Sequence, residues 1–278
     1  MFWKGGLKWI RPALGSVFAV LVVSLSALAS HSAFELQATP RCKPQLQSLL
    51  AKSVVIMPVP SALATRADDR LFMPDTENVY LDVRFQAPTY RLLETAARYL
   101  PHVSSVLVVG TGASPELLMM ARKFPHLKAL HGVDIDPKAL AASEDAIKLN
   151  ADGDRRIKVW RSDGLDKVNQ TYDLILFAAP RPMFMDSLRV RFGDLAAARI
   201  WSMMNRRKDL FDMEGRLRDR VLGQMDRVLS PGGRFLLMSD AAEEPQVSEE
   251  FDSLKHGLWL WGSERDGFFT IYDFFRSK

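Results

Sequence analysis

Two glycines spaced two apart, and an aspartate 22 residues after the second (134 − 112), are the residues here best suited to hold a ligand. Gly110 and Gly112 stand in "VLVVGTGASP", on either side of Thr111, where an apolar run stops and a helix-like pattern begins. Lacking side chains, they let the backbone turn tightly and approach a bound group closely. Asp134 closes the next apolar run, "HGVD", with Ile135 after it, and an acid at that place can accept hydrogen bonds from both hydroxyls of a ribose. A third run ends in "RSDGLD", where Asp163, followed by Gly164, is placed to accept from an exocyclic amine such as adenine's. A fourth ends in "LILFAAPRP".

This chemistry is that of binding and orienting a nucleotide. A dinucleotide site would want a third glycine where Pro115 stands. Ser114 and Pro115 instead read as an N-cap and first helical residue, and Asp136 with Pro137 repeats that pair at a second helix. The single cysteine, Cys42, rules out an intrachain disulfide, and no Cys/His cluster has metal-ligand spacing, so no metal is expected.

The elements that must position these residues alternate. An amphipathic helix, "YRLLETAARYL", precedes Pro101. Strands are predicted over 106–109, 127–133, 157–161, 172–177 and 234–239, with helices over 114–124 and 137–150 between the first three. A closing pair, 258–261 and 268–274, flanks "SERDG". Strands alternating with helices imply an α/β fold built on a doubly wound, mostly parallel, Rossmann-like sheet, and the closing pair implies an antiparallel edge hairpin. In such a sheet the ligand sits beyond the carboxyl ends of the strands.

The 278 residues carry a net charge of +4, too weakly basic to imply nucleic acid. Residues 1–34 differ from the rest: Lys4, Lys8 and Arg11 precede an uncharged stretch, 12–34, long enough to span a bilayer. They read as a signal peptide or an N-terminal membrane anchor. Residues 35–79 read as a Pro-punctuated linker, with a short helix near 44–52, and the α/β domain as 80–278. Within it, 181–229 forms a helical insertion. From Arg181 to Arg227 it holds 11 Lys/Arg against 7 Asp/Glu, including Arg206, Arg207 and Lys208, and it is placed to act as a lid over the acceptor site.

Taken in order, "VLVVGTGAS", "GVDIDPKAL", "RSDGL", "YDLILFAAPRP" and "VLSPGGRFLL" resemble the class I S-adenosylmethionine-dependent methyltransferases, over about residues 80–278. The flanking "RFQAPTYRLLETAARYL" and "EGRLRDRVLGQMDRVLSPGG" look most like the small-domain enzymes related to the protein-glutamine N5-methyltransferases. The resemblance implies a seven-stranded sheet and S-adenosylmethionine as cofactor. It implies that Gly110, Thr111 and Gly112 pass under the methionine part, that Asp134 and Ile135 hold the ribose end, and that Asp163 and Gly164 flank the adenine. The acceptor position falls on Ala178, Pro180 and Arg181.

The chain also departs from the family pattern. The family usually has an acid where Val108 stands and a third glycine where Ser114 stands. Its amide-methylating members carry Asn/Asp-Pro-Pro-Tyr/Phe where this chain has Ala178, Ala179, Pro180 and Arg181. Alanine accepts no hydrogen bond, so glutamine specificity does not carry over. The acceptor, a small molecule or a protein, is then a different nucleophile, with Arg181 contacting an anionic group on it. Two other readings stand beside this one. One is a degenerate domain serving as a binding or scaffold module at a membrane; the other is an aminopropyltransferase, for which the acid expected after the fourth strand is missing. The N-terminal cations favour a cytoplasmic N-terminus, which sets the domain across the membrane from a cytosolic donor.

Overall fold

The computed structural model describes residues 54–66, 69–74, 86–178, 216–240, 258–266 and 269–277. All of them lie in one compact unit, Lys52–Lys278. The expected signal or anchor, the short helix near 44–52 and most of the predicted lid, 181–215, fall outside the described residues, as do Pro180 and Arg181. Among the described residues no helix is long and apolar enough to cross a membrane.

The seven strands of the main sheet are β3 (Ser105–Val109), β4 (Ala129–Asp134), β5 (Ile157–Arg161), β6 (Tyr172–Ala178), β7 (Leu229–Asp240), β8 (Leu258–Asp266) and β9 (Phe269–Arg276). They lie in the order β5-β4-β3-β6-β7-β9-β8. β3 pairs in parallel with β4 and β6, β4 with β5, and β6 with β7, while β9 runs antiparallel between β7 and β8. The expected mostly parallel sheet with an antiparallel terminal hairpin is therefore present. The chain reverses outward from β3 in two directions, which opens the crevice at the β3/β6 boundary where such sheets take ligands.

Side chains alternate between two cores, as the two-residue period of a strand requires. Val106, Val108, Leu174, Leu176 and Leu236 point into one, with Leu92 and Leu93 of α1 (Gln86–Ala96) and Leu117 and Leu118 of α2 (Pro115–Lys123). Ala142 and Ala146 of α3 (Pro137–Ala151) complete that layer. Leu107, Val109, Ile175, Phe177, Phe235 and Leu237 point into the other. There they meet Val221 and Leu222 of α4 (Arg216–Leu222) and Met225 and Val228 of α5 (Met225–Val228). Cover on both faces is why β3 and β6 read as nearly unbroken apolar runs rather than as alternating ones.

Two features differ from the sequence reading. The "SPGG" stretch falls inside β7 as an irregularity rather than ahead of the strand: Tyr172 faces Leu229 and Leu174 faces Arg234, so residues 230–233 stand against Asp173 alone, with Gly232 at φ +77°. The second difference lies in the expected linker. Residues 54–74 hold an antiparallel hairpin, β1 (Val54–Pro58) with β2 (Arg70–Pro74), in which Ile56 faces Phe72. The Asn150 side chain closes a strand-like pair of bonds onto it, accepting from Phe72 N at 2.9 Å and donating to Phe72 O at 2.6 Å. Arg122 donates to Asp69 Oδ1 at 3.0 Å and to Arg70 O at 2.6 Å. Met57, Leu63, Leu71 and Met73 are fully buried in the α2/α3 layer. Prolines at 58, 60 and 74 suggested linker by composition, but each falls at a strand end or in the connection, where no ladder donor is needed.

Candidate functional site

The turn after β3 is built from alternating left-handed residues: Gly110 at φ +70°, Gly112 at +55° and Ser114 at +62°. Gly110 N and Thr111 N both donate to Val133 O, at 2.8 and 3.0 Å, which pulls the turn across the carboxyl end of β4. Among the described residues, a Cβ placed on Gly110 would meet nothing within 4 Å. Thr111 is buried, and its side chain occupies the space where a residue larger than glycine at 132 would put its Cβ, 2.7 Å from Thr111 Oγ1. Gly132 is thus a packing requirement of the turn that the sequence reading passed over.

Ser114 does not act as the expected side-chain N-cap of α2; its backbone is left-handed and it makes no capping bond. Its hydroxyl lies 2.9 Å from Thr111 Oγ1 and 2.7 Å from Ser143 Oγ, and Ser143 in turn donates to Gly112 O at 2.7 Å. Three buried hydroxyls therefore hold the turn onto α3. Ser143 carried no sequence signal beyond its place on the buried face of that helix. Asp136, by contrast, caps α3 as expected, accepting from Lys138 N at 2.9 Å ahead of Pro137.

Asp134 ends β4 directly beside the turn. Oδ2 accepts from Gly112 N and Oδ1 from Asp136 N, each at 2.9 Å, and the Ile135 amide adds a weaker bond, so the carboxylate is fixed from both sides. Burial raises its pKa above the ordinary aspartate value, and the bonds from the Asp136 and Gly112 amides offset part of that rise. Ile135 next to it is 41 % exposed, one of few large apolar side chains left open to solvent.

At the end of β5, Asp163 is engaged. Arg220 of α4 grips it with both prongs, Nη1 to Oδ2 at 2.9 Å and Nη2 to Oδ1. Gly164, at φ +54°, lies under the same helix: a Cβ there would sit 3.2 Å from Leu217 Cδ1 and 3.4 Å from Val221 Cγ2. Arg220 is 57 residues away in sequence, and nothing in the local pattern pointed to it. Ala178 ends β6 opposite Met238, half-buried against the first core, and contributes no polar side chain.

The structure thus brings Gly110, Thr111, Gly112, Asp134 and Ile135 into one group at the carboxyl ends of β3 and β4. Asp163 and Gly164 sit one strand further out, under α4. Space above Gly110 clear of the described residues, a fixed carboxylate at Asp134 and an exposed apolar side chain at Ile135 fit an adenosyl group. A cavity of about 260 Å³, lined by Tyr99, His102, Asp173 and residues 231–234, lies at the opposite, amino end of β6, away from the crevice such sheets use. Among the described residues no group of three His, Cys, Asp or Glu side chains could hold a metal ion.

No family model and no curated protein matches the sequence. Solved structures do match the fold. The Escherichia coli protein yhhF, provisionally a methyltransferase, aligns with a TM-score of 0.50 at 12% identity, over 81% of this chain and 99% of its own. A ribosomal protein L11 methylase of Lactobacillus delbrueckii aligns at 0.47 and 15% identity, over 68% of this chain and 80% of its own. The N-methyltransferase NodS of Bradyrhizobium japonicum aligns at 0.42 and 19%, over 70% and 97%. The likeness to yhhF establishes a shared methyltransferase fold; the chemistry has to be argued from the site.

Proposed function

We propose that this chain is an S-adenosylmethionine-dependent methyltransferase whose acceptor is not a carboxamide nitrogen. The observation that carries the proposal is the Asp134 carboxylate, bonded to Gly112 N of the turn and beside the exposed Ile135. A ribose, an adenine edge and an amino-acid tail need those three features within one ligand's length. When bound, the cofactor supplies an electrophilic sulfonium methyl, so the protein's task is orientation rather than nucleophilic catalysis.

Gly110 and Gly112 provide the close backbone approach, and Asp134 accepts from the ribose hydroxyls. Ile135 covers one face of the base. Ala178, at the end of β6, can neither read nor deprotonate the acceptor, which is why amide methylation is set aside. Pro180 and Arg181 remain as the sequence-implied acceptor contacts, Arg181 toward an anionic group. Residues 181–215 are the proposed lid, and an N-terminal membrane attachment is proposed from residues 1–34.

Calorimetric titration of the full chain with S-adenosylmethionine and S-adenosylhomocysteine tests the reading. Micromolar binding is expected. Asp134→Ala should weaken it about 100-fold, the loss of two hydrogen bonds to a charged group, while the variant still unfolds cooperatively. Wild-type affinity should fall as the pH is lowered, because only the carboxylate accepts both hydroxyls. With the Asp134 pKa raised, that fall begins at a higher pH than for an exposed aspartate. Absence of binding by either ligand would leave the scaffold reading in its place.

A further inference from the structure

The loop that follows β5 is stitched to α4 and α5 by three side chains: Arg220, Gln224 and Arg227. Gln224 Nε2 donates to Asp166 Oδ1 at 2.9 Å, and Arg227 donates to Leu165 O at 2.7 Å and to Val168 O. Leu165 and Val168 are fully buried beneath them. The third stitch, Arg220 to Asp163, differs from the others. It lies at the end of the loop nearest the site, is an ion pair between two side chains where Arg227 grips backbone carbonyls, and leaves its partners 39 % and 47 % exposed. It can open while Arg227 and the buried leucine and valine keep the loop seated.

We propose that Arg220 is a displaceable latch on Asp163, and that it is released when a ligand's exocyclic amine takes over the carboxylate. The inference rests on the reading of the site as an adenosyl pocket and adds a residue that sets its base selectivity. Both Asp163 oxygens accept from the guanidinium, so an amine at that edge must share or displace it. The exchange is cheap, since an exposed ion pair contributes little in water and loses part of that to salt. A ligand with a 6-oxo group puts an acceptor where the amine stood, facing the Asp163 carboxylate, and its one donor on that edge moves to N1–H, out of line with the amine. It leaves the latch shut and gains nothing from opening it.

The test compares the full chain with Arg220→Met, which keeps an unbranched side chain at that place and removes the charge. Each is titrated with S-adenosylhomocysteine and with its 6-oxo analogue, S-inosylhomocysteine. The latch predicts that Arg220→Met binds S-adenosylhomocysteine about two- to fivefold more tightly, the range an exposed ion pair spans, with no tightening for the 6-oxo analogue. The gain should vanish in the Arg220→Met/Asp163→Asn double variant. Raising ionic strength should tighten the wild type toward the variant and leave the variant unmoved. Arg220→Lys, which loses the two-pronged grip, should fall between them. Equal or weaker binding by a folded Arg220→Met, with the wild type binding normally, overturns the latch and leaves the methyltransferase reading intact. A wild type that binds neither cofactor form overturns that reading, and the latch falls with it.

Discussion

Ser114 shows how a single position can depart from a family pattern without losing the turn. A left-handed residue with a Cβ costs about 1 kcal/mol relative to glycine, and Ser114 sits at φ +62° where the resembled family usually places glycine. The hydroxyl offsets that cost: it joins Thr111 and Ser143, both buried, and Ser143 continues to Gly112 O. Ser114→Ala keeps the strain, removes the buried Thr111 hydroxyl's partner and leaves Ser143 only its bond to Gly112 O, so it should destabilise the fold by about 2 kcal/mol in urea unfolding. Ser114→Gly also loses the bonds but relieves the backbone, and should cost about 1 kcal/mol less than alanine. The reverse order would mean that the turn is not held by its hydroxyls. The glycine turn at Gly110 and Gly112, the place of Asp134 at the end of β4 and the Asp136 cap were legible in the sequence because they follow from local backbone geometry. Ser114 was misread as a cap because Ser-Pro ahead of a helix is the usual sign of one. Arg220 was invisible because its partner lies 57 residues away.

At the level of elements, the hairpin β1–β2 changes where the folded unit begins. Its register pairs Val54 with Pro74 and Pro58 with Arg70, and Asn150 serves Phe72 as a third strand would. Asp69, bonded to Thr65 and to Arg122, fixes the connection to α2: burial would raise its pKa, but the Thr65 bonds and the Arg122 charge hold it lowered. A chain starting at residue 80, the boundary that composition suggests, would lose Met57, Leu63, Leu71 and Met73, all fully buried. At about 1.5–3 kcal/mol each, that loss is comparable to the whole stability of a typical domain. Residues 52–278 should therefore unfold cooperatively in urea, and residues 80–278 should show no such transition or a midpoint displaced far downward. Equal midpoints would mean that the hairpin is an appendage. Composition could not separate this hairpin from linker, because two five-residue strands carry too little periodicity against three prolines.

For the whole molecule, a mostly parallel sheet was legible because alternation of strands with helices leaves few ways to cover both faces, while the order β5-β4-β3-β6-β7-β9-β8 came from the fold alone. The antiparallel end followed from two strand patterns with no room for a crossover helix between them. Neither consideration fixes the side of a membrane on which the unit lies, and there the proposed function makes its own demand. Residues 12–34 carry no charge, and Lys4, Lys8 and Arg11 precede them. If that stretch anchors the chain as proposed, the positive-inside rule alone would hold the N-terminus in the cytoplasm and send the folded unit across. Methyl transfer needs the opposite arrangement, because S-adenosylmethionine is made and kept in the cytosol. If the Asp134 site binds that donor in the cell, the folded unit must share its compartment, and the orienting signal of three cations is overridden. A reporter fused after Lys278 is then expected to read cytosolic. An exterior reading would deprive the Gly110–Asp134 site of its donor and shift the weight to a binding role for the same fold.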